Sequence, residues 1–150
     1  MIVLIWSWFQ LLSPDTQNTA LAQAIAVECD AAKPLWPGDV YGERCASLMT
    51  AIAFRETEFR HGVRGDHGAS RCELQIQDDA RVEDDPFTCV RVGIQRVRES
   101  MALCPKGNEL CIYAAGPRGL KEAAQVTETI SRDRMALAKW LRANGMRGNK

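Results

Sequence analysis

A run of apolar residues at helical spacing, interrupted by a single acid, does most to limit what this chain can become. With residues 41–60 taken as helical at 3.6 residues per turn, Tyr41, Cys45, Leu48, Met49, Ile52, Glu56 and Phe59 fall within roughly 50° of one line. A stripe of this kind must be covered, so the segment predicts an amphipathic helix facing a core. Glu56 then stands where a core residue belongs. An ionised carboxylate in apolar surroundings is costly, which favours the protonated form that a general acid needs near neutral pH. The competing reading is a structural acid paired with Arg55, Arg60 or Arg64. Glu58 points away from the stripe and reads as a solvated charge.

The remaining segments support a mainly helical domain. Residues 20–29 form a short alanine-rich helix after the Ser13, Pro14, Asp15 turn, and residues 33–39, with Pro34, Pro37 and Gly38, form a loop. Residues 61–70 hold three glycines and leave the helix in irregular turns, and residues 72–77 alternate enough for a short extended piece beside the helix end. In residues 89–104, Val90, Ile94, Val97 and Met101 lie at spacings of four, three and four, a second amphipathic helix. A brief helix at 110–115 ends at Gly116 and Pro117, and a last one at 120–143 turns Ile130, Leu137 and Leu141 inward. The arginines of residues 91–98 spread around their helix as a solvated face.

At 150 residues and 46% hydrophobic content the chain supports one compact core. Nineteen basic and nineteen acidic side chains cancel without forming blocks, so no nucleic-acid footprint is present. Six cysteines in so short a chain point to an oxidising compartment and allow three disulfides in fifteen connectivities. No pair has C-x-x-C spacing and there are two histidines, His61 and His67, so no metal site is expected. Cys104 and Cys111 bracket a Pro-Lys-Gly-Asn loop and form the first candidate pair. Proximity in sequence suggests Cys72 with Cys89 and Cys29 with Cys45.

Residues 1–12, from Met1 to Leu12, are apolar apart from Ser7 and Gln10. The run is too short to span a bilayer and near the length of a signal-peptide h-region, but a positive n-region is missing. Trp6, Trp8 and Phe9 equally suit an anchor on a partner protein or a lipid surface. The expected organisation is therefore an anchor, docking or signal-like segment at 1–19, a domain at 20–143 and a polar tail at 144–150.

Three segments carry more than helical pattern. Arg55-Glu56-Thr57-Glu58-Phe59 resembles the Glu-Ser-x-Phe signature of lysozyme-like lytic transglycosylases, the soluble lytic enzymes that cut peptidoglycan. Gly68-Ala69-Ser70-Arg71-Cys72-Glu73-Leu74-Gln75-Ile76 is similar to that family's G-x-S-x-G-x-x-Q-I segment, and Tyr113-Ala114-Ala115-Gly116 to its Tyr-Asn-x-Gly motif. Order and spacing agree across all three. Thr57 replaces serine and keeps the hydroxyl, Cys72 replaces the second glycine, and Ala114 lacks the amide of the asparagine.

The resemblance implies an α+β lysozyme-like fold, a helical bundle with a small extended lobe beside the catalytic helix, and no cofactor. It implies that Glu56 protonates the glycosidic oxygen between N-acetylmuramic acid and N-acetylglucosamine and then acts as base. The sugar's own 6-hydroxyl attacks, leaving an anhydro end. Ser70, Gln75 and Tyr113 would line the cleft, with Tyr113 orienting Glu56 and Gln75 bonding sugar or backbone. A hydrolytic muramidase would need a second carboxylate ~5–9.5 Å away, for which Asp66 and Glu73 are the candidates. The implied partners are peptidoglycan glycan strands and, through residues 1–12, other proteins of a virion tail or secretion machine. The implied location is a phage tail, or the periplasm or extracellular space. A relative that kept the shape and lost turnover, serving as a structural or wall-binding component, is the alternative.

Overall fold

A computed structural model describes residues 1–39, 41–65, 70–77, 82, 85–115 and 124–145. The chain is mainly helical. Its elements run α1 (Ile2–Leu12), α2 (Thr19–Ala31), α3 (Glu43–Thr57), β1 (Ser70–Arg71), β2 (Ile76–Gln77), α4 (Pro86–Leu103), α5 (Cys111–Ala115) and α6 (Ala124–Asn144). The extended lobe is an antiparallel pair with Ser70 opposite Gln77 and Arg71 opposite Ile76, to which Gly65 adds a bridge on Ser70.

Helix α3 is the centre, packed against α1, α2, α4 and α6. Its Leu48, Met49 and Ile52 are fully buried, as the spacing required, and they meet Leu21 and Ile25 of α2 and Leu141 of α6 in one core. The stripe is shorter than the sequence suggests. Tyr41 is 78% exposed, because the helix begins only at Glu43. Asp39 sets that start: its carboxylate accepts from the backbone N–H groups of Arg44 and Cys45, each at 3.1 Å, filling two donors that the first turn leaves open. Gly42 has φ +64°, and a Cβ there would stand 2.4 Å from the Cys29 carbonyl oxygen, so the Cys29–Cys45 disulfide closes over a residue that must lack a side chain.

Residues 1–12 are not a separable segment. They form α1, whose Ile5, Trp8 and Phe9 are fully buried in the common core, and the Phe9 ring stacks on Phe59 with centroids 3.9 Å apart. The aromatic residues that suggested an outside partner are largely spent inside, leaving Ile2, Val3 and Leu11 exposed on the outer face.

All three disulfides are formed: Cys29–Cys45, Cys72–Cys89 and Cys104–Cys111. They fit an oxidising, exported compartment. Among the described residues no helix is long and apolar enough to cross a membrane.

Candidate active site

The site begins where α3 stops. After Thr57, Glu58 and Phe59 take left-handed backbone angles, φ +53° and +63°, which reverse the chain and drive the Phe59 ring into the core. This reversal fixes Glu56 in the last turn, at the edge of the buried stripe. Thr57 fastens the turn to the extended lobe, since its hydroxyl lies 3.1 Å from the Ala53 carbonyl and 3.2 Å from that of Glu73. The hydroxyl common to threonine and serine therefore has a structural task at this position.

Between β1 and β2 the chain turns through residues 72–75. Cys72 has φ +57° and Gln75 has φ +48°. The first value explains why a glycine suits that position in the motif that this segment resembles, because a Cβ in the left-handed region is strained. Here the disulfide to Cys89 of α4 holds a side chain in that conformation.

Glu56, Ser70, Gln75 and Tyr113, which come from three separate segments, line one cavity of about 270 Å³ together with Gly65, Ala114, Ile130 and Arg134. The Gln75 amide nitrogen donates to the carbonyls of Val63 and Cys72, both at 2.9 Å. Its two hydrogens are thus committed to backbone. Its carbonyl oxygen faces Gly65, where a Cβ would approach to 2.5 Å, so the narrow wall depends on glycine. Ser70 is 2% exposed.

Tyr113 does not orient Glu56 as the resemblance implied. Its hydroxyl donates to the Leu74 carbonyl at 2.5 Å, and its backbone N–H donates to Ser100 Oγ at 2.8 Å. Burial raises the phenol well above its usual range, the Glu56 carboxylate raises it further, and Arg134 partly offsets both. The phenol is a neutral hydrogen-bond donor at physiological pH.

Glu56 differs from expectation in its partner. Its side chain is 23% exposed, and Oε1 receives Arg134 Nη2 at 2.7 Å and Nε at 3.3 Å. Neither Arg55 nor Arg60 is the partner: Arg55 pairs with Asp133, and Arg60 donates to the Thr57 carbonyl. Arg134 lies on α6, 78 residues away, with its own side chain 12% exposed. Sequence reasoning missed it, although a signal exists. Ile130, Arg134, Leu137 and Leu141 repeat at four, three and four, so a basic residue interrupts the inward stripe of α6 as Glu56 interrupts that of α3.

The two candidate second carboxylates part ways. Asp66 lies outside the described residues, as does the Gly116 of the third motif. Glu73 is 2% exposed, and its Oε1 is held by Asn18 Nδ2 at 3.0 Å and His61 Nδ1 at 2.9 Å, a set of contacts apart from the residues lining the Glu56 cavity. Glu73 thus ties the α1–α2 loop to the hairpin turn. It lies near the Cys72 and Cys89 sulfurs, but those are bonded to each other and are not thiolate ligands.

The arrangement offers a carboxylate whose Oε2 has no hydrogen-bond partner among the described residues, beside a neutral phenol and an amide carbonyl, at the wall of a polar cavity. Such a group can exchange a proton with a bound hydroxyl or ether oxygen once its guanidinium contact yields. No family model, curated protein or solved structure matches this chain.

Proposed function

We propose that the chain is a lysozyme-like lytic transglycosylase that cleaves the β-1,4 bond between N-acetylmuramic acid and N-acetylglucosamine in peptidoglycan. The observation that carries this reading is the convergence of Glu56, Ser70, Gln75 and Tyr113 on one cavity, since they come from three segments, far apart in the chain, that resemble the family's motifs in order and spacing. Glu56 gives its proton to the glycosidic oxygen as the bond to the anomeric carbon breaks. The carboxylate then takes the proton of the muramic acid 6-hydroxyl as that oxygen attacks the same carbon, which closes the 1,6-anhydro ring and restores the acid. One carboxylate suffices for this cycle. The burial of Glu73 against Asn18 and His61 favours it over a two-carboxylate hydrolysis. Arg134 holds the carboxylate in place and must be displaced by substrate before Glu56 carries a proton. The setting is an exported one, in the periplasm or in a wall-penetrating virion tail or secretion machine that contacts the outer face of α1.

A second reading has its own support: the Glu56–Arg134 pair and Ala114 in the place of asparagine favour a wall-binding component without turnover. Peptidoglycan clearing by wild type and Glu56→Gln separates the two. Turnover predicts soluble muropeptides from wild type, none from the variant, and products one water lighter than reducing ends. Wall binding with no release by either protein selects the second reading, and an active Glu56→Gln refutes the first.

A further inference from the structure

The geometry points to a second sugar-binding station for the same strand, on the α1–α2 loop beyond the end of α3; this rests on the glycan-cleaving reading of the Glu56 site. A cavity of about 560 Å³, inside the ~300–1,000 Å³ range of small-molecule sites, is lined by the loop residues Asp15 and Gln17 and by Glu58, Arg60 and His61. Glu58 and Arg60 also line a smaller cavity of about 180 Å³ that Glu56 itself borders. The two cavities share Glu58 and Arg60, and the smaller one shares Glu56 with the site, so the three adjoin along the end of α3. The larger cavity lies past the left-handed reversal at Glu58 and Phe59.

Two features suit this station to a glycan. Its walls are held in place before any ligand arrives: Asn18 caps α2 by accepting from the Leu21 N–H and donates to the Phe59 carbonyl and to Glu73, each at 3.0 Å. That locks the loop against the end of α3, so little ordering is left for binding to accomplish. The lining residues are mixed in charge, Asp15 and Glu58 against Arg60, and include the amide of Gln17. Asp15, Gln17 and Glu58 are exposed and make no side-chain hydrogen bond to described residues. Free acceptors and an amide, with one more carboxylate than guanidinium, fit hydroxyl and N-acetyl groups and disfavour a polyanion.

Titration of N-acetylglucosamine hexamer and dimer against Glu56→Gln, with and without Asp15→Ala and Gln17→Ala, tests the station without turnover. Loss of two polar contacts should weaken hexamer binding about tenfold and dimer binding less than twofold. Amide shifts in the Glu56→Gln protein give a second readout that needs no altered loop: the hexamer should move residues 13–18 and 58–61 together with the Glu56 cavity. Unchanged hexamer affinity, or hexamer shifts confined to the Glu56 cavity, overturns the inference. If wild type still clears peptidoglycan in that case, the function stands and the station alone falls; if it neither clears wall nor binds either oligomer, both fall.

Discussion

Removing the Cys72–Cys89 bridge tests whether the hairpin turn is strained where the motif would place glycine. The two cysteines are 17 residues apart, and closing a loop of that size restricts the unfolded chain by ~3 kcal/mol in the chain-entropy model. A Cys72→Ala/Cys89→Ala protein should lose about that much unfolding free energy, a drop in midpoint of roughly 1–3 M urea. Cys72→Gly/Cys89→Ala isolates the backbone. A Cβ at φ +57° costs ~1–2 kcal/mol, while glycine's wider freedom in the unfolded chain takes back ~0.4–1 kcal/mol, so the glycine variant should be the more stable of the two by about 0.8 kcal/mol at mid-range and at most ~1.6 kcal/mol. Urea unfolding of both proteins under oxidising conditions, which leave the other bridges intact, measures the difference. A glycine variant equal to or weaker than the alanine variant refutes the strain argument, and a loss under ~1 kcal/mol in both refutes the loop argument.

Asp85 caps α4 by accepting from the Thr88 hydroxyl, the Thr88 N–H at 2.8 Å and, more weakly, the Phe87 N–H, all of which hold its carboxyl below the usual range. Asp85→Ala should cost ~1 kcal/mol at neutral pH; because the folded value is depressed, the gap should persist above about pH 3.8 and close as pH falls through the folded value, as acid unfolding curves would show. Tyr113 is shifted the other way, so its contribution is complete below its unfolded value of 10.0 and is lost as pH rises beyond it. Urea unfolding across pH 8–11 should fall more steeply for wild type than for Tyr113→Phe, which also loses ~1 kcal/mol at neutral pH with the hydrogen bond to Leu74; parallel slopes would contradict the buried phenol. Arg134→Gln should slow wall clearing ~10–100-fold without ending it, through misplacement of Glu56, and an unchanged rate would remove Arg134 from that role.

The helices were legible because each carries its own period. Val90, Ile94 and Val97 are buried as their spacing required, and Leu141 is likewise inside. Tyr41 misled because it extends the stripe of α3 by one turn, whereas Asp39 and Gly42 begin the helix after it. The first helix was harder to read. Its eleven residues are apolar on nearly every face, and periodicity then cannot distinguish a buried element from an anchor. Motif order singles out Glu56, Ser70, Gln75 and Tyr113, which line one cavity, but it says nothing of their hydrogen-bond partners. Leu74 and Val63 act through backbone carbonyls, which carry no sequence signal. Arg134 was readable in principle, since an acid on one inward stripe and a base on another are each costly alone and compatible together.

The cavity also explains why an oxidising compartment matters to a site that contains no cysteine. Helix α4 carries Cys89 in its first turns and ends at Cys104, and each is bonded to one wall of the cavity: Cys89 to the turn holding Leu74 and Gln75, Cys104 to Cys111, two residues before Tyr113. Ser100 of α4 adds a third tie through the Tyr113 backbone. The hydrogen bond from Tyr113 to Leu74 then closes the two walls against each other, so the phenol senses the hairpin through a path that both bridges hold taut. The opposite walls, Glu56 of α3 and Arg134 of α6, are joined by packing and by polar contacts, the Glu56–Arg134 and Arg55–Asp133 ion pairs and the hydrogen bond from Arg142 to Ser47, with no disulfide between the two helices. A half anchored by two disulfides thus faces a half held by non-covalent contacts. The division suits the proposed reaction, in which a sugar ring is kept in position while Glu56 leaves its guanidinium partner to carry a proton.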